Sequence, residues 1–157
     1  MLKAELIQVL RREFVLDWCG IHGAPHWARV RFNGLRMARD NGARSDVVEC
    51  FALLHDSQRL HDGKDEVHGQ RAAGYARRIN RDLLHLDDAG LDQLIYACAY
   101  HSDGLIEADI TVQTCWDADR LDLGRIGIRP SPARLCTNTA REPAFLPAAY
   151  QRSIRGG

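Results

Sequence analysis

Apolar residues recur along this chain every three or four positions, the period of helices that each bury one face. Leu2, Leu6, Leu10 and Phe14 open the pattern, and Gly20, Gly23 and Pro25 interrupt it, so a first helix is expected to end near Trp18. A second opens after Pro25 and turns Trp27, Val30, Gly34, Leu35 and Ala38 inward before Asn41-Gly42 stops it. His26 then falls in its first turn. Ser45 or Asp46 can cap a third helix, with Glu49 three residues past Asp46 as a capping box requires. The buried stripe Val47, Phe51 and Leu54 delivers His55 to the inner side of that helix's last turn.

Beyond the polar stretch Ser57 to Glu66, His68, Ala72, Tyr75 and Ile79 share one face of a fourth helix. Asp87 or Asp88 can begin a fifth, whose Leu91, Leu94, Ile95 and Cys98 lead into His101. Thr114 is expected to cap a sixth that carries Cys115, Asp119, Leu123 and Ile126 on one side. From Gly127 the helical period fades into Pro130, Pro132, Pro143 and Pro147, which predicts an irregular tail with room for one short helix. Strand signals are confined to Asp109 to Val112, and no stretch between Leu2 and Ile128 has the composition of a linker. The expected class is all-α, in one domain over 1–157.

At 157 residues the chain can bury a core that needs no disulfide staples. Its five cysteines form no C-x-x-C pair, and Lys3 and Glu5 stand where a signal peptide would need an apolar run. These features point to a reduced, cytoplasmic protein. No apolar run approaches the roughly 20 residues that cross a bilayer, so no membrane partner is expected. The formal charge is zero, which argues against nucleic acid, although arginines gather in the last third. The stripe of the first helix serves either the core or a partner helix in a homo-oligomer.

Chemistry enters through His26, His55-Asp56, His68, His101 and Asp119, each near a helix end or on an apolar stripe. Imidazole and carboxylate suit divalent transition metals, and more than four such ligands can hold two ions with positions open to water and substrate. Taken singly, each residue could be a hydrogen-bonded core group or a carboxylate at a helix terminus. Burying them together without a cation would be costly. Two His-Asp dipeptides occur. His55-Asp56 closes an apolar helix, whereas His61-Asp62 lies in a polar loop beside Gly63, where a solvated role is expected. Asp117 lies about 200° round the sixth helix from Asp119, so only one of the two can face a metal.

In these strings the chain resembles the HD-domain superfamily of metal-dependent phosphohydrolases, over Ile21 to about Arg129, with 130–157 as a C-terminal extension. The strings are His22-Gly-Ala-Pro-His26-Trp-Ala-Arg-Val30, His55-Asp56, Val67-His68-Gly69, Tyr100-His101-Ser102-Asp103-Gly104 and Trp116-Asp-Ala-Asp-Arg-Leu121. The last fits a closing Ala-Asp-Arg-Leu pattern and favours Asp119 over Asp117. The resemblance implies an HD-like helical bundle with two ions of iron, manganese, zinc, cobalt or nickel. One would be held by His26, His55, Asp56 and Asp119, the other by Asp56, His68 and His101, with Asp56 shared. The implied reaction is hydrolysis of a phosphate ester, of a nucleotide or another small molecule, by a water that the ions activate.

Arg59 stands three residues after Asp56, where relatives with a His-Asp-x-x-Lys pattern carry a substrate-facing Lys, and is the first candidate to meet phosphate during catalysis. Lys64, Arg120, Arg125 and Arg129 are further phosphate contacts to weigh against pairing with acidic neighbours. His22 either donates a proton to the leaving oxygen or supports the Gly23-Ala-Pro25 turn, the turn being favoured. Asp103 either orients His101 or belongs to a plain turn with Gly104. Two other functions stay open: a di-iron oxygenase built on the same ligands, as in the inositol oxygenase and phosphonate oxygenase branches, and a non-catalytic metal- or nucleotide-binding module.

Overall fold

The computed structural model describes residues 3–156, so Leu2 lies outside the described residues. Helix α1 (Ala4–Glu13) buries Leu6 and Leu10 but stops short of Trp18. At Phe14 the backbone becomes extended, and the three rings of Phe14, Trp18 and Trp27 pack edge to face with centroids 5.1 to 6.2 Å apart. That aromatic nook requires the chain to leave the helix early. Helix α2 (Ala24–Asn41) carries Pro25 in its first turn and ends at Gly42, whose φ of 78° is readily reached only without a side chain.

Helix α3 (Ser45–Leu54) is buried at every residue from Val47 to Leu54 and packs against α2 and two later helices, so it forms the centre of the bundle. The expected capping box does not form, because the helix begins at Ser45 with Arg44 in the cap position. Asp46 instead accepts from the Arg44 guanidinium, and Glu49 accepts from Arg31 Nε at 2.7 Å. Helix α4 (His68–Ile79) runs into a π-type turn, Asn80–Leu84. Helix α5 (Asp88–Tyr100) starts where Asp87 accepts from the Gly90 amide.

Helix α6 (Ile110–Arg120) begins earlier than expected. Asp109 caps it by accepting from the Thr111 and Val112 amides, while Thr114 lies inside and donates its hydroxyl to Ile110 O at 2.7 Å. The β-branched run that hinted at a strand is therefore the first turn of a helix. Among the described residues there is no strand, and the class is all-α.

The C-terminal segment is irregular from 127 to 137, apart from a 3-10 turn at Pro132–Arg134, and then resumes helix in α7 (Asn138–Arg141) and α8 (Phe145–Arg155). Its helical share is larger than the prolines suggested. Pro143 precedes α8 and Pro147 sits in its first turn, where a missing N–H breaks no helical bond. Buried side chains from Leu6 to Ala149 form one continuous cluster. No helix among the described residues is long and apolar enough to cross a membrane.

Close approach of α4 to α5 depends on Gly69. A methyl group there would stand 2.5 Å from Cys98 O and 3.1 Å from Ala99 O, both backbone atoms that cannot rotate away. Gly69→Ala is therefore expected to lever the two helices apart at a cost of roughly 1–3 kcal/mol. A thermal melt should show the loss, and metal titration should show weakened binding at the adjacent His68 and His101.

Candidate metal centre

The helix ends bring the six residues together. Four donor atoms, from the two residues that follow α3, the last turn of α6 and the first turn of α2, cluster around His26 and His55. His26 Nε2 lies 3.0 Å from His55 Nε2, 3.5 Å from Asp56 Oδ2 and 3.3 Å from Asp119 Oδ1. His55 Nε2 lies 3.6 Å from each of the same two carboxylate oxygens. On the other side of Asp56, its Oδ1 lies 3.2 Å from His68 Nε2 and 3.6 Å from His101 Nε2, which are 2.9 Å from each other. Asp56 thus turns one oxygen to each group. Metal–donor bonds of about 2.0–2.2 Å place tetrahedral donors about 3.3–3.6 Å apart, close to the spacings here.

The far sides of the rings decide whether an ion fits. His55 Nδ1 meets Phe51 O at 3.1 Å, His101 Nδ1 meets Cys98 O at 2.7 Å, and His68 Nδ1 meets Asp65 O. A carbonyl only accepts, so each of these Nδ1 atoms carries the hydrogen, and in a neutral ring Nε2 is left as a bare lone pair. His26 Nδ1 is likewise matched to Asp122 Oδ2 at 2.6 Å. Lone pairs converging at about 3 Å repel unless a cation lies among them, and this is the arrangement that orients histidine ligands in metal sites.

The electrostatics show the same demand for positive charge. Burial alone would raise Asp56 and Asp119, yet the surrounding imidazoles hold both far below the usual carboxylate range, so both are anionic donors at neutral pH. Burial pushes His26 down but is outweighed by Asp119, Asp122 and Asp56, which raise it to about 9. Burial lowers His55 despite Asp56 and Asp119, whereas Asp56 and Asp119 raise His101 despite burial. Three carboxylates around His26 create a demand for positive charge that a divalent ion meets.

Neither a family model nor a curated protein matches the sequence. The fold is similar to that of a solved structure, a predicted HD superfamily hydrolase from an uncultured Thermotogales bacterium, 24% identical over 97% of this chain and 87% of that one, with a TM-score of 0.74. The chain has the HD fold. Within it, His55-Asp56 is the dipeptide that closes the central helix and supplies donors to both groups.

Beside the HD dipeptide opens a cleft of about 700 Å³, onto which Asp56, His101 and Asp119 face. Arg59 lines it, donating Nε to Asp56 Oδ1 at 3.1 Å and Nη1 to Gly63 O at 3.1 Å. Arg125 lines it too, with Nε on Ile21 O at 2.8 Å. Lys64 does not reach the cleft, because it is exposed and pairs with Glu66 at 2.7 Å. Asp103 belongs to a turn closed by its own amide on Tyr100 O, and the Cys98 carbonyl, not Asp103, orients His101.

His22 supports the turn, the role favoured for it, and its ring also reaches the cleft. Its carbonyl accepts from Trp27 Nε1 at 2.8 Å, which steadies the turn, while its buried ring lines the cleft with Nδ1 2.8 Å from Asp62 Oδ1. Burial lowers this imidazole, opposed by Asp62. The second His-Asp dipeptide, expected to be solvated, therefore contributes one working half: Asp62 holds His22, while His61 is exposed.

Sequence patterns did not reveal Asp122, whose carboxylate accepts from His26 Nδ1 and from Arg29 Nε at 2.7 Å. The one available signal was its spacing, three residues beyond Asp119 and so on a similar face. Asp122→Asn keeps the shape but removes the charge that polarises His26. It is expected to weaken ion binding ten- to a hundredfold, about the range for groups that orient metal-binding histidines, in a competition titration against a chromophoric chelator.

Proposed function

We propose that this protein is a metal-dependent phosphohydrolase acting on a phosphate ester of a nucleotide or another small molecule. The observation that carries the proposal is the shared carboxylate, Asp56, whose two oxygens each face a separate histidine pair. His26, His55, Asp56 and Asp119 would hold one ion, and Asp56, His68 and His101 a second, of iron, manganese, zinc, cobalt or nickel. Two ions held this way supply a water made acidic enough to ionise near neutral pH, and they polarise a phosphoryl oxygen.

The chain's own residues do the rest. Arg59, already drawn against Asp56, places a planar cation where a phosphoryl oxygen would approach the centre. His22, held by Asp62 through Nδ1, is neutral and presents Nε2 as an acceptor that can take a hydrogen bond or a proton from water or substrate in the cleft. The cleft lies within the size range that encloses small ligands. A predicted hydrolase with the same fold supports the reading.

The test is a phosphoester panel with each metal, run with and without oxygen. Turnover that survives anaerobic conditions, stops on chelation and returns on metal addition is expected. Metal-replete protein inert across the panel would overturn the reaction, and oxygen consumption coupled to turnover would replace it with oxygenase chemistry.

A further inference from the structure

The cleft that leads to Asp56 and Asp119 is walled by arginine. Arg59, Arg120, Arg125, Arg129 and Arg134 all line it, and the carboxylates among its lining residues are Asp56 and Asp119, both donors of the metal centre. In a chain whose 21 basic and 21 acidic residues cancel, this segregation concentrates positive charge at one opening.

Three of the five guanidiniums are committed. Arg59 binds Asp56 and the Gly63 carbonyl, Arg125 binds Ile21 O, and Arg120 bridges Arg134 O at 2.9 Å and Leu105 O at 2.5 Å. Arg129 and Arg134 differ. Both are exposed, and among the described residues neither side chain donates a hydrogen bond or forms an ion pair. Arg129 rests 5.0 Å over the ring of Tyr150, which positions it without neutralising it.

The stretch that carries Arg134 is fixed. Asp117 accepts from the Cys136 and Thr137 amides, Arg141 binds Pro132 O and Leu135 O, and Leu135 is fully buried. Beside these arginines, Ile126 and Ile128 line the cleft with 44% and 49% of their surface exposed. An uncommitted pair of planar cations next to an apolar shelf is complementary to a molecule that carries its own distant oxyanion.

We infer that Arg129 and Arg134 form a second phosphate subsite, and that the substrate is a small bisphosphorylated molecule whose apolar body crosses Ile126 and Ile128. The inference rests on the hydrolase reading for the placement of the first phosphate. It joins Arg129, which the sequence offered as a phosphate contact, to Arg134, which lies in the tail the sequence predicted to be irregular.

Calorimetry on the metal-loaded protein, with alkane bisphosphonates of graded length compared with the matching alkyl monophosphonates, tests it. Their P–C bonds resist hydrolysis, so binding is read whether or not the protein turns anything over. At the best length the bisphosphonate should bind about tenfold or more tightly than the monophosphonate, as two added charge-assisted bonds allow. In Arg129→Gln/Arg134→Gln that preference should vanish while monophosphonate affinity stays within about twofold, since neither side chain holds the backbone.

Equal affinities at every length in the wild-type protein, or a preference that survives in the double variant, would overturn the subsite. If the double variant fails to fold, the wild-type length series decides alone: an optimum at one length supports the subsite, and a flat series removes it. A clear preference in a protein inert on the phosphoester panel would leave the subsite standing and discard the reaction. Turnover without any preference would do the reverse.

Discussion

Asp56→Asn is expected to leave a folded protein that binds at most one ion per chain and hydrolyses phosphate esters at least about a thousandfold more slowly, since ion-assisted charge stabilisation is lost. The side chain is buried, and its two oxygens face His26 and His55 on one side and His68 and His101 on the other. An amide keeps one oxygen and replaces the other with an NH2 group, whose hydrogens repel a cation. One histidine pair therefore keeps an acceptor beside it, and the other gains a donor aimed at its lone pairs. Elemental analysis of the purified variant counts the ions, circular dichroism checks the fold, and the phosphoester panel measures the rate. A variant that retains two ions would show that Asp56 is not their shared ligand.

Asp117→Ala is expected to do the opposite, lowering stability by roughly 3–5 kcal/mol while leaving the metal donors in place. The Asp117 carboxylate accepts from the Cys136 amide at 2.7 Å and from the Thr137 amide and hydroxyl at 2.8 Å each. Truncation strands all three donors beneath the tail. For a domain of this size the loss corresponds to a fall in melting temperature of about 10 °C. Asp117→Asn should cost less, because burial already raises this carboxyl above its ordinary range and a neutral group escapes that penalty. Thermal melts of the two variants rank these effects. Metal content unchanged from wild type in folded Asp117→Ala would separate its role from that of Asp119, two positions away.

Much of this was legible in local patterns. Apolar periodicity located α2, α4 and α5, and placed His55 at the inner end of a buried helix because Val47, Phe51 and Leu54 fix which side is inside. The angular separation of Asp117 and Asp119 followed from helix geometry, and the structure turns the two to different neighbours. Errors arose where two local signals compete. Thr111 and Val112 favour strands as single residues, yet Asp109 supplies a cap that converts them into a first turn. Phe14 continues a helical stripe, but its ring is better placed against Trp18 and Trp27. The residues no pattern could supply are those joined only by folding, such as Asp122 with His26, 96 positions apart, and Asp62 with His22, 40 apart.

Helix α6 grips the tail with one carboxylate and turns another to the histidine cluster, two residues along the same rod. The distance from Asp119 to the stretch that carries Arg134 is consequently spanned by stiff backbone, like the jaws of a caliper locked at one opening. A catalyst built on such a gauge would sort its molecules by reach, accepting those of one length and passing over shorter and longer ones that bear the same chemical groups.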